Sequence, residues 1–116
     1  MSHAVSPLAP KSFPALPIIG GMRLATTLTG TRYKGRDDLF FAAFQPGTAV
    51  AGVFTSNKMP GVPVDWCRKH VGGGRARGLV VNAGNANVFT GKAGAAACAD
   101  TAKAAAKALG CKPGEI

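Results

Sequence analysis

From Gly91 to Leu109 the chain carries ten alanines and no proline, a composition with nearly the highest helix propensity available. Gly110 stands where such a helix would stop. Lys92, Asp100, Lys103 and Lys107 follow one another at spacings of eight, three and four and fall on one stripe, which leaves alanine and Leu109 on the opposite side. A helix with so smooth an apolar face is suited to close packing on a sheet. The remainder of the chain is therefore expected to supply strands.

Met22, Leu24 and Leu28 alternate as in a strand with one buried face, and Gly30 to Gly35 then reads as a turn. Leu39–Phe44 (LFFAAF) is continuously apolar. It is followed, after Gln45, Pro46 and Gly47, by Thr48–Thr55 (TAVAGVFT), a pattern that predicts a hairpin buried on both faces. Pro63 to Val71 reads as a short helix on the spacing of Val64, Cys67, His70 and Val71, ended by Gly72, Gly73 and Gly74. Arg77 to Asn82 reads as a strand that feeds a loop rich in Gly and Asn. The order of strand, hairpin, short helix, strand and long helix predicts a mixed α/β (α+β) layered architecture. Residues 1–116 form a single partial domain. Pro7, Pro10, Pro14 and Pro17 make 1–17 an extended Pro-rich arm, and 18–116 carry the strands and helices.

With 47% hydrophobic and 16% charged residues the chain is not a disordered tail. No apolar run approaches the roughly 20 residues of a membrane helix, and no targeting signal precedes the arm, so a soluble protein of the cytoplasm is expected. Cys67, Cys98 and Cys111 are odd in number and form no CxxC pair, which predicts buried, reduced thiols. The net charge of +9 points to a polyanion or to an acidic complement elsewhere.

Several segments approach motifs that carry chemistry. Residues 86–93 (ANVFTGKA) fail as a phosphate loop, because Ala86 replaces the first glycine and Ala93 the metal-binding hydroxyl. Gly72, Gly74 and Arg77 fail the dinucleotide fingerprint at its third glycine, and the segment precedes a strand instead of following one. Cys67 and His70 could share a helix face as thiolate and base, but no orienting carboxylate is near in sequence, so core packing is the expectation. Two basic runs, Arg32, Tyr33, Lys34, Arg36 and Arg68, Lys69, Arg75, Arg77, read as solvated charge or as a contact for an acidic segment. One Tyr and one Trp supply little for nucleic-acid stacking. Asn82, Asn85 and Asn87 surround Gly84 at the end of a strand. They read either as a self-bonded loop with positive φ at Gly84 or as the wall of a binding site.

Five segments together, SPLAPKSFP at 6–14, RYKGRDDL at 32–39, AGVFTSNK at 51–58, GVPVDWCR at 61–68 and RARGLVVNAGNANVFTGKAG at 75–94, resemble the glutamate/ornithine N-acetyltransferase family of arginine biosynthesis. They keep the family's order and spacing from Ser6 to Leu109, and VVNAGNAN is the most specific of them. The resemblance implies the N-terminal part of a layered αββα sandwich of the self-cleaving acetyltransferase type. It also implies transfer of acetyl from N-acetylornithine, or from acetyl-CoA as a further substrate, to glutamate through an acetyl-threonine intermediate. In the family the nucleophilic threonine and a Thr-Gly oxyanion pair lie beyond the position of Ile116, so no catalytic residue is assigned in this chain. Asn82, Asn85 and Asn87 remain as site-wall candidates, and 1–116 alone is expected to be inactive. The implied partners are the remaining segments of the same gene product, commonly as a heterotetramer, with no bound cofactor, metal, membrane or nucleic acid. Rival readings are a small basic nucleic-acid-binding domain and a segment of a related self-cleaving amidase or peptidase.

Overall fold

The computed structural model describes residues 6–116. The part of the expected arm at 1–5 lies outside the described residues, while 6–17 carries neither helix nor strand and is exposed throughout. Three strands follow: β1 (Met22–Thr27), β2 (Leu39–Phe44) and β3 (Gly78–Asn82). They form one antiparallel sheet in the order β1-β2-β3. Two helices, α1 (Val62–His70) and α2 (Gly91–Leu109), complete a mixed α/β fold.

The long helix has the bounds read from the sequence. Gly94, Ala102, Ala105 and Ala106 are its buried residues, whereas Lys92, Asp100, Lys103 and Lys107 are exposed. Its end is a Schellman motif. Gly110 takes φ 63°, its N–H reaches the Lys107 carbonyl at 3.4 Å, and the Cys111 N–H reaches the Ala106 carbonyl at 3.0 Å. The shorter helix begins one residue earlier than expected, with Pro63 in its first turn, where a missing N–H costs nothing. It runs into a 3₁₀ turn at Val71–Gly73, closed by Gly74 at φ 65°.

The hairpin of 39–44 with 48–55 does not form. Strand β2 has two edges, and β1 and β3 occupy both, so no ladder position is left for a fourth segment. Thr48–Thr55 instead crosses the end of the sheet as an extended strap, held by a single bridge between Ala49 and Arg75 and by the Val50 N–H on the Gly74 carbonyl at 3.0 Å. Val53 in this strap is fully solvated.

Burial on both faces is incomplete, since Ala42 is the one buried residue of β2 and the rest are half-buried. Directly paired residues share a face, so Leu39, Phe41, Ala43, Gly78 and Val80 line one side. Helix α2 packs there: a Cβ built on Gly78 would meet Leu109 Cδ1 at 2.7 Å and Ile116 Cδ1 at 3.1 Å. The other side presents Met22, Leu24, Phe40, Ala42, Phe44, Leu79 and Val81. Leu24, Leu79 and Val81 on it are 55%, 46% and 49% exposed.

The thiols are also less buried than expected. Cys67 is exposed on α1, while Cys98 and Cys111 are half-buried and free. Burial raises the pKa of the Cys98 thiol, with a smaller contribution from Cys67. Burial raises that of Cys111 too, aided by Glu115 and opposed by Arg77. Both therefore ionise less readily than a free thiol.

Because an L side chain at φ 63° is strained, Gly110→Ala is expected to lower the stability of the protein by about 1 kcal/mol. Urea denaturation measures this, and an unchanged midpoint would show that the turn relaxes at no cost.

Candidate functional site

The asparagine loop joins the end of β3 to the start of α2. Gly84 adopts φ 116°, as its place among three asparagines predicts, and Gly91 adopts φ 58°. Phe89, 80% exposed, is held at φ 56°, a backbone conformation that costs a non-glycine residue on the order of 1 kcal/mol. Nothing in the local sequence signals it.

The three asparagines do different things. The Asn87 side-chain amide donates to the Gly94 carbonyl at 2.9 Å, its Oδ1 accepts from the Thr90 hydroxyl, and its backbone carbonyl accepts the Val62 N–H at 2.9 Å. It thus ties the loop to the first turn of α2 and to the start of α1. Gly94 is required by this arrangement, since any Cβ there would overlap the Thr90 side chain and Asn87 Oδ1. Asn82 and Asn85 are exposed, and their side chains make no hydrogen bond among the described residues. Of the three, these two leave their side-chain amides free among the described residues.

The loop from Thr29 to Asp37 lies against this one. Its base is pinned by Asp38, the one buried charged residue among those described, 4% exposed. The carboxylate accepts from the Thr29 N–H at 2.6 Å and the Thr29 hydroxyl at 2.9 Å, while the Asp38 carbonyl accepts the Ala83 N–H at 2.8 Å. The Thr29 N–H holds the carboxyl below its ordinary pKa against the opposing effect of burial. The sequence offers the Asp37–Asp38 pair but not which of the two turns inward. Arg32 and the Tyr33 ring edge pack on Gly84, where a Cβ would meet Arg32 Cβ at 3.0 Å and Tyr33 Cε2 at 3.3 Å.

Three arginines of the second basic run are engaged by the backbone. Arg68 donates to the Thr55 carbonyl at 3.0 Å and pairs with Asp65 at 3.1 Å, Arg77 donates to the Phe44 carbonyl at 3.2 Å, and Arg75 donates to that of Gly47. They fasten the strap and the sheet end, while Arg68, Lys69 and Arg75 stay exposed as solvated charge.

Cys67 and His70 both line an apolar cleft of about 210 Å³ with Phe44, Val50, Leu79 and Ile116, yet no hydrogen bond joins them. The His70 ring packs on Trp66 at 4.4 Å, its Nε2 is buried without a partner, and the nearby Glu115 carboxylate is taken by the Lys112 N–H. A thiol without a bonded base or an orienting carboxylate is not an activated nucleophile. Trp66 donates its indole N–H to the Ile116 carbonyl at 2.8 Å and already has the His70 ring against its own. Among the described residues no group of His, Cys, Asp and Glu could hold a metal, and no helix is long and apolar enough to cross a membrane.

The model of the ArgJ family matches residues 23–116, which includes every strand and helix described above apart from Met22, the first residue of β1. The chain belongs to the ArgJ family. It is 60% identical over 116 residues to the arginine biosynthesis bifunctional protein ArgJ of Bradyrhizobium diazoefficiens, and 56% identical to that of Mesorhizobium japonicum. Both alignments cover all of this chain but only 28% of the relative. Among solved structures it is similar to the ornithine acetyltransferase of Mycobacterium tuberculosis complexed with ornithine, with TM-score 0.80 and 36% identity over 84% of this chain and 53% of that one. The ArgJ structure from Bacillus halodurans has the same fold at TM-score 0.78 and 24% identity, over 84% and 51% of the two chains. The nucleic-acid reading is not favoured by these likenesses.

Two outcomes test the loop geometry of this ArgJ chain. Gly94→Ala should cost about 2 kcal/mol by overpacking against Thr90 and Asn87, read as a lowered melting temperature. Asp38 binds its proton less readily folded than unfolded, so its contribution is complete above the ordinary carboxylate pKa of about 4 and lost as pH falls through the lower folded value. Asp38→Asn should flatten that acid limb, and an equally steep fall in the variant would place the acid sensitivity elsewhere.

Proposed function

We propose that this chain is the N-terminal portion of an acetyltransferase of arginine biosynthesis that moves acetyl from N-acetylornithine, or from acetyl-CoA, to glutamate. The observation that carries this reading is the match of the family model to 23–116, together with 60% identity to a protein of that biosynthetic name over the whole chain. In this reading the chain is scaffold and site wall. Asn82 and Asn85, with their free amides, face substrate, while Asn87 holds the loop in shape.

The chemistry is then supplied by segments beyond this one. A threonine hydroxyl, freed by self-cleavage along with its own α-amine as base, attacks the acetyl carbonyl, and ornithine leaves as the amine. The glutamate amine attacks the resulting ester and regenerates the hydroxyl, with backbone and hydroxyl donors on the developing oxyanion in both steps. The open sheet face supports an assembly of this kind. Leu24, Leu79 and Val81, each about half exposed, are the residues a second sheet would cover, in a layered sandwich of associated segments working in the cytoplasm as a heterotetramer.

The full-length gene product should transfer acetyl from N-acetylornithine to glutamate, whereas residues 1–116 alone should show no turnover. Activity of the isolated stretch would overturn the division of labour. Release of free acetate by the full-length protein, with no transfer to glutamate, would favour a self-cleaving amidase instead.

A further inference from the structure

We infer that the loop from Thr29 to Asp37 is an anion-binding platform for the phosphates of the acyl donor, coenzyme A. Of the two basic runs in the chain, this one has no guanidinium bonded to a backbone carbonyl among the described residues. The arginines at 68, 75 and 77 are bonded to backbone carbonyls. Arg32, Lys34 and Arg36 are exposed and stand in none of the ion pairs found among the described residues. The acidic residues at the base of the loop form no ion pair with them. Asp37 accepts from the Thr26 hydroxyl, and Asp38 is buried on Thr29. Three cations within five residues thus have no ion-pair partner among the described residues, an arrangement that a bound polyanion stabilises.

The platform is built in advance of any ligand. Gly30 at φ 72° and Gly35 at φ 75° turn the chain at either side of the basic run. The Asp38 carbonyl, bonded to the Ala83 N–H, fixes the base of the loop to the asparagine loop. The absent Cβ of Gly84 lets Arg32 and Tyr33 settle against it. The Arg36 guanidinium lies over the Tyr33 ring at 3.6 Å, which orients it without consuming its N–H donors. Planar guanidinium groups grip phosphate through two parallel hydrogen bonds, and the outer face of a stacked guanidinium accepts a purine. Coenzyme A carries a diphosphate, a further phosphate on its ribose and an adenine. The Ala83 N–H on the Asp38 carbonyl ties the segment that carries the exposed Asn82 and Asn85 to the base of the platform.

That an anion binds here rests on the loop itself; that the anion is coenzyme A rests on the acetyl-transfer reading. The test is calorimetric titration of the full-length protein with coenzyme A, its 3′-dephospho form, pyrophosphate and a single-stranded oligonucleotide. Arg32→Ser with Arg36→Ser should weaken coenzyme A binding at least roughly tenfold without shifting the melting temperature. The same variant should raise KM for acetyl-CoA by a similar factor and that for N-acetylornithine by less than twofold. Arg32→Lys with Arg36→Lys should recover part of the affinity, loss of the 3′ phosphate should weaken it, and added salt should weaken every arm. The inference is overturned if the wild-type protein does not bind coenzyme A, or binds it as tightly when both arginines are serine. It is equally overturned if the oligonucleotide binds more tightly than coenzyme A in an arginine-dependent way. Absent acetyl transfer with arginine-dependent coenzyme A binding intact would instead sink the proposed function and leave this site standing.

Discussion

The close approach of α2 to the sheet depends on the hydrogen that stands for a side chain at Gly78. With Leu109 and Ile116 seated where a Cβ would be, the last turn of the helix rests on the first residue of β3, and Ala102, Ala105 and Ala106 are drawn into the interior behind it. A larger residue at 78 would separate the layers and uncover that stripe. The rest follows from this contact. The helix must begin at the far end of β3, so a loop of asparagine and glycine has to carry the chain from Asn82 around to Gly91. The 3₁₀ turn at Pro113–Glu115 then sits between α1 and β3, where the Arg77 N–H finds the Glu115 carbonyl at 2.8 Å and Trp66 finds that of Ile116.

A sheet with α2 packed on one face and the other face partly open is a physical state with consequences. Each half-exposed Leu or Val on the open side forgoes part of the roughly 1.5–3 kcal/mol that full burial would contribute. The chain spans 28% of the length of its curated relatives, and the open face is where more polypeptide would be stabilising. Scaffold and interface are thereby the same surface seen from its two sides, which suits a segment whose proposed role is to position groups that others supply.

Two basic runs of similar composition have opposite fates. In one, backbone carbonyls at the ends of β2 and of the strap lie within reach, and each arginine is spent as a fastener. In the other, the nearby carboxylates are turned toward threonines, so the positive charge faces outward. Asn87 and Asn85 divide in the same way, the first bonded to the helix turn and the second exposed. Residue type told nothing about these choices, because each is decided by which groups the fold brings within about 3 Å.

Local physics was legible in the amino-acid sequence. The alanine run and Gly110 defined the long helix to the residue, Pro63 and the triple glycine bracketed the short one, and Gly84 among asparagines implied its positive φ. The strand at 39–44 was also evident from its apolar run, and the family from VVNAGNAN and its neighbours. Which edges of β2 were occupied was not, since pairing is a competition among segments far apart in the chain, and Thr48–Thr55 lost it to β1 and β3 despite a strand-like pattern. The buried state of Asp38, the exposure of Cys67 and the strained Phe89 likewise came only with the tertiary structure. Helix and turn preferences act over a few residues and can be read along the chain, whereas burial, strand partners and the freedom of a charge depend on what packs beside them.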